Sequence, residues 1–581
     1  MENEEVMETE ARVLQQTTDN PRNIDVQASQ VVSAFAGEPV NEESALLGAT
    51  GKRKDSQSGS PSPPNAWYDP QFEGLPWYRR PGIYWIILPF FAVTLAFGGI
   101  IVTKLTLIED LLCEKYFSSK AVVDPTFTFM PIVFGGENKQ CDIPEVSSLT
   151  AEFTLVTQLL SGIPCAILAP ILGAYSDRRG RTKVLALTSV GSILSEIITV
   201  LVARNPHMVS VYWLLLGSFF EGLTGSYIVG MAVANAYVSD CTPPPKRARA
   251  MSYVYGCLFG GIAIGPIISA KLVELTRNIV APFYLTLGVH SLYFLFTLFV
   301  VPESIPHKRQ LAAREGWKES MLAAGPLKQW QRFLSLPKAL SILWPQGPGS
   351  SPLLRRNLVL LAAVDAVCFG VAMGAITVIL VYTRQVFGWD HSTTQYYVSI
   401  VNICRVTVLL LGLPALNRFF RGKSMSDREQ GHTGADNVDL GFIRAGILFD
   451  LLGFIGFATA THGNVFTVAG AVTAAGGIVG PTLASAMTRH LPAHLTGQLL
   501  GAIGLLHALA RIIAPAVFNS IFAATTKTFP QTVFVCLACA FGVGAGLSWF
   551  IKPNVYYDES LSMDEDRGRP SSASETEQDT I

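Results

Sequence analysis

Gly173-Ala174-Tyr175-Ser176-Asp177-Arg178-Arg179-Gly180-Arg181-Thr182-Lys183 is a Gly/Asp/Arg turn wedged between two long apolar runs, roughly residues 150–172 and 184–203. A tight basic turn between two such runs reads as a cytoplasmic hairpin joining two membrane helices. Composition points the same way. Of 581 residues, 49% are hydrophobic and only 15% charged, against about 25% charged in a soluble domain. From Ile83 to Thr103 there is no ionisable acid or base, enough at about 1.5 Å per residue to cross a ~30 Å hydrocarbon core. A net charge of -1 argues against nucleic acid as a partner.

Twelve apolar spans follow along the chain, near 83–104, 150–174, 184–204, 209–236, 249–273 and 281–301, then 357–383, 391–415, 440–461, 464–487, 494–522 and 529–551. Short loops 2–3, 4–5 and 8–9 carry most of the Lys and Arg, so both termini are expected in the cytoplasm. The domain reading is an N-terminal disordered tail (1–80), a six-helix bundle (81–301), a basic loop (302–356), a second six-helix bundle (357–552) and a disordered tail (553–581). In the basic loop, Trp317, Leu327, Trp330, Phe333, Leu336 and Leu340 interleave with cations. That pattern predicts amphipathic helices on the anionic leaflet, with a calmodulin-type target as the lesser alternative. The two halves look like distant repeats: Leu413…Asn417-Arg418 echoes Gly173…Asp177-Arg178, and Ala514-Pro515 echoes Gly265-Pro266.

The opening stretch resembles the signature loop of the major facilitator superfamily, Gly-x-x-x-Asp-Arg-x-Gly-Arg-Arg/Lys, with Tyr175 in the usual Leu position and Lys183 displaced by one. Span 5 has Gly261-Ile-Ala-Ile-Gly265-Pro266-Ile-Ile-Ser269-Ala270, similar to a Gly-x-x-x-Gly-Pro-x-x-Gly-Gly motif of proton antiporters; its plain reading is close helix packing. Ser218-Phe-Phe-Glu221-Gly222 stands where many drug transporters carry Arg-x-x-Gln-Gly, and Val301-Pro-Glu-Ser304 closes span 6 as in the family. Spans 2–6 look most like the branch holding the proton-coupled folate transporter and tetracycline-resistance antiporters. The resemblance implies an all-α membrane protein of two six-helix bundles built as inverted repeats around a central cavity. It also implies a cytoplasmic latch of Gly173, Asp177, Arg178, Gly180, Arg181 and Asp240, in which the acid faces the start of span 11 and the arginine pairs with the acid ending span 4. The plain alternative is that these charges only fix topology.

Charged residues within membrane spans are presumptively functional or paired. Those here are Glu196 (span 3), Glu221 (span 4), His290 (span 6), Asp365 (span 7), Arg405 (span 8), Asp450 (span 9), and His507 with Arg511 (span 11). Glu221 is the preferred proton acceptor and Asp365 the second; Arg405 or Arg511 would bind an anionic substrate group. The bland readings are an Arg405–Asp450 interhelical pair and a hydrogen-bonded core histidine at His290.

Cys113 and Cys141 fall in the long non-cytosolic loop 1–2 and are expected to form a disulfide in an oxidising compartment. The other seven cysteines lie in or beside apolar spans as small buried residues, and no cofactor or metal is expected. Glu42-Glu43-Ser44-Ala45-Leu46-Leu47 fits an acidic dileucine signal for a sorting adaptor, so a vacuolar or lysosomal membrane stands beside the plasma membrane. No Gly-x-x-x-x-Gly-Lys-Ser/Thr loop and no His-Glu-x-x-His occurs, which disfavours a nucleotide-driven pump and an enzyme. The expectation is a monomeric secondary transporter of a small organic solute, embedded in the lipid bilayer and driven by protons, with symport and antiport both open. The alternative is a non-transporting nutrient receptor on the same fold.

Overall fold

The computed structural model describes residues 72, 74–124, 127–134, 138–141, 143–322, 339–346, 349–389, 391–421, 434–526 and 528–557. Leu46, Leu47 and the cationic stretch 323–338 lie outside them. Among the described residues there is no β-strand. Twelve helical spans are long and apolar enough to cross a membrane. They are Tyr84–Val123, Ser148–Arg179, Arg181–Arg204, Trp213–Asp240, Pro244–Thr276 and Ala281–Phe299, then Pro352–Phe387, Tyr396–Phe420, Asn437–Thr459, Gly463–His490, Ala493–Thr525 and Thr532–Trp549. A buried apolar cluster centred on Phe454, Phe457, Phe466 and Phe534 holds the second half together.

Three features depart from the sequence reading. Span 1 does not stop near 104 but continues as helix to Val123, so Cys113 is a helical residue rather than a loop one. It still pairs with Cys141, at the end of a short 3-10 turn. The helix persists because its extra turns have their own core, in which Phe117 packs with Phe127 and Phe129. Second, span 2 runs to Arg179, so the turn in the opening stretch is a single residue: Gly180, at φ +107°, after which Arg181 starts span 3. Third, the start of the C-terminal tail is docked: Asn554 N–H donates to Ala435 O (2.8 Å) and Tyr557 N–H to His490 O (3.0 Å).

Span 5 lies against span 1 with almost no space between backbones. A Cβ on Gly261 would sit 2.3 Å from the Thr94 backbone, and one on Gly265 2.5 Å from Gly99 N. Thr94 Oγ1 donates to Cys257 O (2.8 Å) at the same crossing. Gly261 and Gly265, beside Pro266 within the span 5 helix, therefore pack span 5 inside the first half.

Spans 4 and 10 are both interrupted. Span 4 breaks at Thr224-Gly225, with Gly225 at φ +91° and Ser226 at φ +54°. Only glycine takes the first of these angles without strain. Span 10 loosens to a 3-10 turn at Gly476–Ile478. Interrupted spans at matching places in two halves are where transporter folds bind their cargo.

Candidate functional site

Two clusters of charge are built on this scaffold. The first lies at the signature turn. Asp177, in the last turn of span 2, faces the start of span 11: Gly497 N–H donates to Oδ1 (3.1 Å) and Gln498 N–H to Oδ2 (2.9 Å). A carboxylate at a helix N-terminus is favoured by the unpaired amides and the helix dipole. Span 11 comes this close because Gly173 faces it; a Cβ there would meet Gly497 O at 2.4 Å. Arg181 bridges Asp177 (2.7 Å) and Asp240 (3.0 Å), and all three side chains are buried. Gly180 also presses on Glu303, leaving no room for a side chain. Asp177, Arg181 and Asp240 thus form one buried cluster against the start of span 11.

The cluster has further partners that the sequence does not assign to it, although one of them, Glu303, stands in the Val301-Pro-Glu-Ser304 run. Glu303 of the Pro-Glu-Ser run caps span 3, accepting from Arg181 N (2.8 Å), Thr182 N (3.1 Å) and Thr182 Oγ1 (2.8 Å). Arg309 donates to Asp240 (3.2 Å) and to Ala493 O. Arg247 Nη1 donates to Thr488 O (3.0 Å) at the end of span 10. Asp177 and Arg247 of the first half and Arg309 of the central loop therefore hold the end of span 10 and the start of span 11 through backbone atoms. Arg178 stands apart from the ion pairs, stacked at 4.7 Å on Trp317, while Arg314 Nε donates to Arg178 O (2.9 Å). Helix His307–Leu322 of the central loop is thus held by protein rather than only by a lipid surface. The second half has its own buried ion pair, Arg489 with Asp439, which starts span 9 and ends span 10. These positions match Arg181 and Asp240 with the charges exchanged; Asn417 of the expected echo makes no such pair, its Oδ1 having no protein partner.

The second cluster is at mid-depth, at the break in span 4. Ser226 Oγ donates to Glu221 Oε1 (2.9 Å) and accepts from Arg511 Nη1 of span 11 (3.4 Å). The Arg511 guanidinium lies 5.0 Å above the Tyr227 ring. Four residues earlier on the same face of span 11, His507 Nε2 and Asp365 Oδ2 are 2.6 Å apart, and Phe369 stacks on the imidazole at 4.0 Å. Glu221, Arg511, His507 and Asp365 thus follow one another across the junction of the halves. Glu196 and His290 are buried within electrostatic reach of Glu221. Glu196 Oε2 has no protein hydrogen-bond partner, while His290 lies against the Thr286 backbone one turn earlier in its own helix.

The Arg405–Asp450 pair expected as the bland reading is not formed among the described residues. Arg405 instead stacks on Phe259 of span 5 at 4.8 Å, with its Nε unpartnered. Asp450 packs on Gly476, where a Cβ would meet its carboxyl group. The two side chains face the neighbouring glycines Gly476 and Gly477 and lie within electrostatic reach of one another.

The model of the Major Facilitator Superfamily matches residues 82–515. The chain belongs to that superfamily. It is 28% identical over 517 residues to the MFS-type transporter avaJ of Aspergillus versicolor, covering 88% of this chain and 94% of that one. It is 27% identical over 393 residues to the class C tetracycline resistance protein of Escherichia coli, covering 67% and 84%. Proton-coupled folate transporters also match, so both members of the expected branch are relatives of this facilitator. Among solved structures, the human organic anion transporter MFSD10 superposes with a TM-score of 0.60 at 18% identity, covering 82% of this chain and all of that one. That likeness concerns the fold. The protein is a multi-pass membrane transporter of this superfamily.

Proposed function

We propose that this facilitator moves a small organic solute by alternating access and draws on a proton gradient, with Glu221 as the carboxyl that gains and loses the proton. The observation that carries the proposal is the hydroxyl of Ser226, shared at a helix break by Glu221 of one half and Arg511 of the other. A change in the Glu221 charge acts directly on a contact between the halves, which is what coupling requires. His507 and Asp365 form the second proton-carrying pair, one turn along span 11.

The signature-turn cluster serves as the latch. With Asp177, Arg247 and Arg309 engaged, the halves are joined on that side, and on the expected orientation this is the outward-facing state. Reorientation must break these bonds together. The latch then gives the conformational change a threshold, and solute and proton binding at mid-depth must supply the free energy to cross it.

The test is uptake of a labelled metabolite and drug mixture into proteoliposomes with and without an imposed pH gradient. Accumulation that needs the gradient supports the proposal. Folded protein that binds a component and moves nothing would establish the receptor reading instead.

A further inference from the structure

Arg511 differs from the buried arginines that are held in ion pairs, and from Arg247, whose guanidinium is held by the backbone carbonyls of Thr242 and Thr488. Arg181 has Asp177 and Asp240, and Arg489 has Asp439. Among the described residues Arg511 has no carboxylate within 4.0 Å; its hydrogen bond goes to a neutral hydroxyl, at 3.4 Å. A guanidinium carries five N–H donors in a planar fork suited to a carboxylate. Ser226 has one hydroxyl proton, and it is committed to Glu221. The charge that balances Arg511 is therefore that of Glu221, delivered through the serine. Around them lie Tyr227, Phe97 with its ring 5.3 Å from that of Tyr227, and Met373, whose sulfur is 3.8 Å from the Tyr227 hydroxyl. The surroundings suit an apolar or aromatic body.

We infer that the solute is an organic anion whose acidic group binds the free edge of the Arg511 guanidinium, and that it enters together with a proton on Glu221. The inference rests on the proton-coupled reading above and gives that reading a substrate class and a direction. When Glu221 is ionised, its charge compensates Arg511 and a second anion is repelled. When Glu221 takes a proton, Arg511 is left without a counter-charge in a low-dielectric site, and the solute anion restores neutrality. Anion and proton each make the other's binding more favourable, a reciprocal coupling that produces symport. No bond is formed or broken other than the O–H of the Glu221 carboxyl, whose proton comes from solution on one side and leaves to the other.

The experiment uses the full-length protein in detergent, with benzoate, phenylacetate and naphthoate as probes against their matched amides. Thermal stabilisation reports binding, and a pH indicator in weakly buffered solution reports proton uptake. The acids stabilise the wild type more than the amides do, with uptake of a proton. Arg511→Gln weakens acid binding about ten- to a hundredfold and abolishes the preference over amides, whereas Arg511→Lys keeps the preference. Glu221→Gln, a mimic of the protonated state, still binds acids but takes up no proton. Equal stabilisation by acids and amides, or an acid preference that survives Arg511→Gln, would overturn the anion site. Acid binding that depends on Arg511 with no proton uptake keeps the anion site and removes the proton-coupled reading. Loss of acid binding in Arg405→Gln but not in Arg511→Gln places the anion elsewhere and also overturns the inference.

Discussion

Asp177→Asn is expected to weaken the proposed latch without changing its shape. In the wild type the carboxylate accepts two amide N–H bonds, from Gly497 and Gln498. Hydrogen bonds to a charged group contribute about 1.5–3 kcal/mol each, and neutral ones about 0.5–1.5 kcal/mol. The asparagine has a single acceptor oxygen, so one charge-assisted bond is lost and the other becomes neutral. Arg181 keeps Asp240 and so is not stranded. Water around the open latch recovers part of the difference, leaving a net loss of about 2–3 kcal/mol, or roughly 30- to 150-fold in the closed-to-open ratio. Amide hydrogen exchange at Gly497 and Gln498 reads this ratio directly. The expected result is acceleration of that order confined to the start of span 11. Unchanged exchange would refute the assignment, and so would equal acceleration in span 12, which would mean general loosening.

Three further outcomes follow from the same structure. Burial, with the Asp240 and Glu303 carboxylates nearby, holds the Cys241 thiol well above its usual range. It thus stays protonated through neutral pH, and its alkylation, followed by mass spectrometry, should be slow in mildly alkaline buffer. Asp240→Asn removes one of those charges, lowers the thiol pKa and speeds labelling; no change would count against the electrostatic cause. Arg489→Gln removes the cation that faces the buried Asp439 carboxylate, at a cost of about 3–5 kcal/mol. The melting temperature in detergent should fall sharply and recover largely when Asp439→Asn is added; a double variant as unstable as the single one would contradict the pairing. Cys113→Ser opens a covalent loop of 28 residues, worth about 3–4 kcal/mol in the chain-entropy picture. Limited proteolysis should then cut between 124 and 143, with the spans intact; resistance equal to wild type would show that the local aromatic packing suffices alone.

The twelve spans were legible because a membrane helix needs some twenty apolar residues in a row, and the breaks between them carry the charges. The Asp177–Arg181–Asp240 cluster, proposed as a latch, was legible through its likeness to the family signature. Its remaining members were not. Glu303, Arg247 and Arg309 act largely on backbone atoms, and no side-chain pattern marks a backbone partner. The length of span 1 was misjudged because Glu109, Asp110, Glu114 and Lys115 resemble a loop, although Asp110 is buried and takes a bond from Asn138 (2.8 Å). Glu221, Asp365, His507 and Arg511 could be listed as intramembrane charges, but not sorted into partners. Depth follows from position along a span, whereas the face a side chain takes depends on packing. The same gap left two readings of Arg405 open, a solute contact or a pair with Asp450; the two lie within electrostatic reach without an ion-pair contact. Ser226 gave no signal at all; only the helix break at Gly225 makes its hydroxyl a junction.

The central claim is that Glu221 couples proton movement to solute movement. It is tested most directly by comparing two assays on reconstituted wild type and Glu221→Gln: accumulation driven by a pH gradient, and exchange of labelled for unlabelled solute without one. If Glu221 carries the proton, the variant loses accumulation and retains exchange, because alternating access with bound solute needs no proton release. Gradient-driven accumulation that persists in Glu221→Gln would contradict the claim.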